Sequence, residues 1–242
     1  NMNILAIGAH PDDVEFLCAG TLALYALEGH KIFIAIATNG NVGSPTLSKT
    51  EISKVRKKES LDSCKKIGAQ LIWMNFDDEW LFNDKKTRLV FIDAIRKAEA
   101  DIMFIHNNND YHPDHRNAGQ IAEDCRIPVS VRLVKSSENH LKKIPHIFYM
   151  DNIGGVGFEP EVYVDVSSVI EIKKDMLTCH KSQNDWLLEL YDKTPTELML
   201  NQSKFRGLNS GYKFAEGFRQ IKTYPQTGSY DLLPKSRKGG NM

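Results

Sequence analysis

The chain has 242 residues, with 31 Lys or Arg balanced by 31 Asp or Glu, so its formal charge is zero. That balance gives no electrostatic footprint for nucleic acid or an anionic membrane. A content of 41% hydrophobic and 26% charged residues excludes disorder and collagen, and the longest apolar runs fall far short of the ~18–20 residues that span a bilayer. The N-terminus shows neither a basic leader nor a small-residue cleavage site, so the expected location is the cytoplasm. Cys18, Cys64, Cys125 and Cys179 form no CxxC pair and read as reduced structural thiols.

Ile4–Ala9 is an apolar run of strand length, and Val14–Leu27 after it carries apolar residues at helical spacing until Gly29 stops it. Lys31–Thr38 reads as a second buried strand, followed by the turn-rich Thr38–Ser44, and Thr50 opens a helix running to Gly68. Leu71–Met74 is a third strand, Lys86–Ala98 a helix and Asp101–His106 a fourth strand. After Gly119 the rhythm loosens. Ile127–Val131, Pro145–Tyr149 and Val162–Asp165 read as strands and Ser167–Lys181 as a helix, while the polar Lys235–Met242 reads as a frayed tail. Alternating strands and helices need crossover connections, which predicts a Rossmann-like three-layer α/β sandwich with a mostly parallel sheet, in one domain over residues 1–242.

Ligands of such sheets bind beyond the carboxyl ends of the strands. Two of those loops carry a His-Pro-Asp tripeptide: His10-Pro11-Asp12-Asp13 after the first strand and Tyr111-His112-Pro113-Asp114-His115 after the fourth. Either acid of the first could merely cap a helix, and the second alone could be a surface turn. Both together, on one sheet edge, point to an open metal site, since a catalytic centre takes three His or carboxylate ligands and keeps a fourth position free. His10, Asp13 and His115 are the candidate ligands. Asp12 then suits a general base, His112 an oxyanion or acid partner, and Asp114 a group that holds the His112 tautomer or charge.

The motifs Ala9-His-Pro-Asp-Asp13 and, about a hundred residues later, His112-Pro-Asp-His115 resemble the LmbE-like or PIG-L family of zinc-dependent N-acetylglucosamine deacetylases. Thr38–Gly43 resembles the family's glycine-rich loop, Arg56-Lys-Lys-Glu59 its Arg-x-x-Glu helix, His180-Lys-Ser-Gln183 its late helix end and Gly211–Phe218 its closing Ala-Glu-x-Phe element. The resemblance implies zinc on His10, Asp13 and His115, with Asp12 as base, His112 as its partner tuned by Asp114, and Arg56 on a polar group of the substrate. The metal position would also admit iron, manganese or cobalt. The implied partner is a small amino-sugar substrate that loses acetate; the alternatives are an amidase acting on another amide and a non-catalytic sugar- or nucleotide-binding module.

Several residues keep two readings. Glu59 braces either Arg56 or a loop, and His180 and Gln183 either shape the site or close a helix. Asp77–Trp80 is either a substrate rim or an acidic loop around a buried Trp80, and Glu216 reads as structural. The aglycone and the role of residues 127–140 are not legible, and a homo-oligomer stays open.

Overall fold

In the first strand, β1 (Asn3–Gly8), successive side chains enter opposite cores: Ile4 and Ala6 on one side of the sheet, Leu5 and Ile7 on the other. The second, β2 (Lys31–Thr38), splits its isoleucines from Phe33, Ala35 and Ala37 in the same way, and β4 (Ile102–Ile105) places Phe104 opposite Met103 and Ile105. Burial on both faces explains why these strands are continuous apolar runs rather than alternating ones. The computed structural model describes residues 1–224 and 230–235; the expected frayed tail from 236 onward lies outside the described residues.

Four further strands complete the sheet: β3 (Gln70–Phe76), β5 (His146–Met150), β6 (Val162–Asp165) and β7 (Ala215–Gln220). The order is β3-β2-β1-β4-β5-β7-β6, parallel from β3 to β5, with β7 antiparallel to both of its neighbours. One face is covered by α1 (Asp13–Leu17), α2 (Ala19–Leu27), α6 (Ile170–Leu177) and α8 (Pro195–Ser210), with α3 (Lys49–Lys65) contributing Cys64. The other is covered by α4 (Lys85–Lys97) and α5 (Pro113–Asp124). This is the mostly parallel α/β sandwich expected. Among the described residues no helix is long and apolar enough to cross a membrane.

The departures have identifiable physical causes. The single helix expected over Val14–Leu27 is broken at Cys18, whose φ of −143° leaves the helical region. The break gives α2 its own N-terminus, and Glu216 of β7 caps it from across the fold by accepting the Gly20 and Thr21 amides, each at 2.8 Å. The strand expected over Ile127–Val131 is a 3₁₀ turn at Pro128–Ser130. Pro128 lacks a ladder donor, and the Arg96 guanidinium takes the carbonyls of Pro128, Val129 and Val131 that a neighbouring strand would need. The helix expected to reach Lys181 stops at Leu177, and a new one, α7 (Lys181–Tyr191), starts where that reading ended. Neither α5, α7 nor α8 is anticipated, although Thr194-Pro-Thr-Glu197 forms a capping box with proline in the first turn.

Glu216 is buried with Lys173, whose ammonium donates to it at 2.6 Å. Removing the carboxylate strands a cation in the core. Glu216→Ala is expected to lower unfolding free energy by about 3–5 kcal/mol, read from urea denaturation; a loss below about 1 kcal/mol would show that the pair and cap are dispensable.

Candidate metal centre

Strand order reverses beside β1, with β2 and β3 on one side and β4 and β5 on the other. Loops leaving β1 and β4 therefore diverge around a crevice, the switch point where open α/β sheets bind ligands. The His10–Asp13 turn follows β1 and the segment to His115 follows β4, so the topology brings both His-Pro-Asp tripeptides to that crevice. In α5, a Cβ at Gly119 would overlap the His106 carbonyl, so glycine lets the helix that carries His115 lie close against the end of β4.

Three expected ligands converge. His10 Nδ1 lies 3.2 Å from His115 Nε2 and 3.4 Å from Asp13 Oδ2, while the other carboxylate oxygen, Asp13 Oδ1, is 3.3 Å from His115 Nε2. Donors ~2.0–2.1 Å from a tetrahedral ion stand roughly 3.3–3.4 Å apart. Each of the three contacts is close to that donor spacing, and two imidazoles with a carboxylate that reaches both of them fit a divalent cation.

Behind each imidazole stands a carboxylate. His10 Nε2 is 3.1 Å from Asp78 Oδ1 and 3.2 Å from Asp114 Oδ2, and His115 Nδ1 is 3.2 Å from Asp110 Oδ1. Such partners fix which nitrogen faces the ion and raise its basicity. Burial alone would lower the His115 pKa, but Asp13 and Asp110 bring it up to about 9. His106 adds a fourth ring, stacked on His115 with centroids 4.2 Å apart and Nε2 3.1 Å from Asp13 Oδ2. Sequence reasoning singles out neither Asp110 nor His106, and Asp78 only within the Asp77–Trp80 loop. The available signal is positional: each follows a strand's C-terminal end, Asp78 inside the acidic loop after β3 and the other two in the segment between β4 and α5.

Asp12 lies beside the cluster with a φ of 107°, a left-handed conformation costing a non-glycine residue about 1–3 kcal/mol. Burial pushes its carboxyl up to about 6 against the pull of Arg56. Arg56 is buried and donates to the Pro11 carbonyl at 2.6 Å and to Asp12 at 3.3 Å, so it braces the strained turn. The glycine-rich loop is its cradle: Gly40 has a φ of +64°, and a Cβ there would stand 2.5 Å from the guanidinium.

His112 is half-buried and caps α5. The expected side-chain pairing with Asp114 is corrected by the geometry. The Asp114 amide, not its carboxylate, meets His112, donating to Nδ1 at 3.2 Å, while the carboxylate turns to His10 and accepts the Glu79 and Leu81 amides. The physical reason is that those two amides and His10 offer three donors on the other side. A neutral His112 therefore carries its hydrogen on Nε2, and burial with the nearby His10 lowers its pKa.

A cavity of about 520 Å³ opens above these groups, with α7 along one wall. Glu59 fixes that helix by accepting the Ser182 amide and hydroxyl, both at 2.7 Å, and Gln183 donates to the Gly43 carbonyl at 3.0 Å. His180 packs behind, Nε2 3.0 Å from the buried Glu15 carboxylate. In the 77–80 loop the acid is the inward group: Asp78 is buried, and Trp80 is 63% exposed rather than buried. Asn107 and Asn109 tie their loop to Arg219 and Asn152.

The sequence pattern of PIG-L, GlcNAc-PI de-N-acetylase, matches residues 5–125, the half of the chain that carries both metal motifs. The chain belongs to the PIG-L family. It is 27% identical over 229 residues to the diacetylchitobiose deacetylase of Thermococcus kodakarensis, covering 90% of this chain and 82% of that one. It is 22% identical over 228 residues to the 4-oxalmesaconate hydratase of Pseudomonas putida, covering 90% and 88%. The solved N,N'-diacetylchitobiose deacetylase of Pyrococcus horikoshii superposes with a TM-score of 0.79 at 24% identity, over 90% of this chain and 83% of that one. The PIG-L fold therefore extends well beyond the matched half.

If Asp110 orients His115, Asp110→Asn weakens Zn²⁺ binding about 10–100-fold, measured by competition with a chromogenic chelator. Unchanged affinity would remove Asp110 from the site.

Proposed function

We propose that the protein is a zinc-dependent N-deacetylase that hydrolyses the acetamide of an N-acetylglucosamine-type sugar or glycoconjugate, releasing acetate and a free amine. The observation carrying this reading is the convergence of the His10, Asp13 and His115 donors on a cavity that Asp12 and His112 also line. Family membership and the deacetylase relatives support the amide as substrate. Two imidazoles and a carboxylate suit zinc, and the same set accepts iron, manganese or cobalt. A divalent cation bound there supplies Lewis acidity toward the amide carbonyl and lowers the pKa of water.

The chain's own residues do the remaining work. Asp12, held by Arg56, takes the proton from the attacking water. The Nε2–H of His112, fixed by the Asp114 amide on Nδ1, is a donor for charge developing on the carbonyl oxygen. Collapse needs a proton on the nitrogen, supplied by Asp12 as it returns the one it took or by His112. Arg56 is among the residues that line the cavity, and its proposed second role is to meet a polar group of the sugar. The relative from Pseudomonas putida is named for a hydration, which makes acetate release, and not metal content, the deciding readout.

Metal analysis and acetate release from N-acetylglucosamine compounds test the reading. Wild type is expected to hold about one metal per chain and to turn over, whereas His115→Ala loses both. Asp12→Asn tolerates the left-handed backbone and is expected to keep the metal while losing about 10²–10⁴ in kcat; full turnover in that variant would remove Asp12 as base. Gly40→Ala, by displacing Arg56, is expected to lower kcat/KM about 10²-fold at unchanged metal content.

A further inference from the structure

Away from the metal donors, the cavity wall is hydrocarbon. Ile153 and Val156 from the turn after β5, Leu198 from α8, and Trp186, Leu187 and Tyr191 from α7 line it together. The polar groups, Glu79 and Tyr111 among them, lie on the side of the metal donors. Gln183 donates to the Gly43 carbonyl, Asp78 faces His10, and Arg56 holds the Pro11 carbonyl and Asp12 with one amino group. An amino sugar bears oxygen on most of its carbons, and hydroxyls pressed on this wall would lose water without gaining a partner. A second acetylated amino sugar, as in diacetylchitobiose, would meet the same hydrocarbon. The volume of about 520 Å³ lies within the ~300–1,000 Å³ that encloses a drug-sized ligand.

We infer that the substrate carries an extended hydrocarbon or aromatic group next to its amide-bearing sugar, and that this group seats against Ile153, Trp186, Leu187 and Leu198. The placement of the sugar rests on the deacetylase reading above. The apolar group has two possible sources, the aglycone or an N-acyl chain longer than acetyl, and both present the same chemistry to the wall.

The test is calorimetric titration of the metal-loaded Asp12→Asn protein, in which turnover does not intrude, with two series held below their micelle concentrations. One series is the methyl, butyl, hexyl and octyl glycosides of N-acetylglucosamine; the other is methyl glucosaminides bearing acetyl, butanoyl and hexanoyl groups. Affinity is expected to rise along at least one series, by up to about fourfold per buried methylene, and the series that rises identifies the source. Leu187→Asn and Leu198→Asn, checked for folding and metal content, flatten that slope. Equal affinity along both series overturns the inference, and so does the absence of binding by any member. Acid release by the wild type is scored separately: rising affinity with no acid released from any compound leaves the apolar subsite standing and overturns the deacetylase reading, whereas turnover with flat affinity does the reverse.

Discussion

Negative charge is the constraint around which this end of the molecule is organised. Asp12, Asp13, Asp78, Asp110 and Asp114 crowd four histidines in one crevice, and Asp13, Asp78, Asp110 and Asp114 are each no more than 5% exposed. Arg56 is the fixed cation at hand, and it is committed to the Asp12 side. Taking a carboxylate out of water costs several kcal/mol unless an opposite charge repays it. Protonated imidazoles can serve in part, but the donors already stand at the spacing a small divalent ion requires. A cation bound there would serve the fold's electrostatic balance as well as its chemistry, and a parallel sheet is what allows such a concentration of acids, since the switch point beside β1 supplies several loops without a backbone crossing between them.

Support for the site comes from layers behind the metal donors. The glycine-rich loop exists to admit a guanidinium, the guanidinium to hold a strained aspartate, and Glu59, one turn further along α3, to hold the helix that walls the cavity. Arg56 and Glu59 thus divide one helix face between the base and the wall.

What the sequence discloses follows the range of the forces involved. Strands buried on both faces are visible as unbroken apolar runs, and the His-Pro-Asp tripeptides are visible because proline and adjacent charges after a strand have few structural uses. Elements set by distant partners are hidden. The break at Cys18 depends on Glu216, nearly two hundred residues away, and the turn at Pro128 depends on Arg96. Asp110 illustrates the same limit at the site: nothing in its neighbourhood distinguishes it from a loop acid until α5 folds back and sets His115 against it. The roles of Asp114 differ for a related reason, because sequence proximity to His112 is overridden by three donors brought from other elements.

The antiparallel β7 lies between β5 and β6 rather than at the sheet's edge. As the chain is synthesised, β6 emerges with no sheet partner and α2 with its first amides open, and both wait for a strand made some fifty and some two hundred residues later, respectively. Closing such loops carries an entropic cost before any contact rewards it. The parallel half can assemble from neighbours in order, whereas the antiparallel half can close only once Ala215–Gln220 has been made. Nascent chains stalled before Ala215 would therefore leave the first amides of α2 uncapped and β6 unpaired, and the unpaired strand is the surface on which a chaperone or an aggregate would act first.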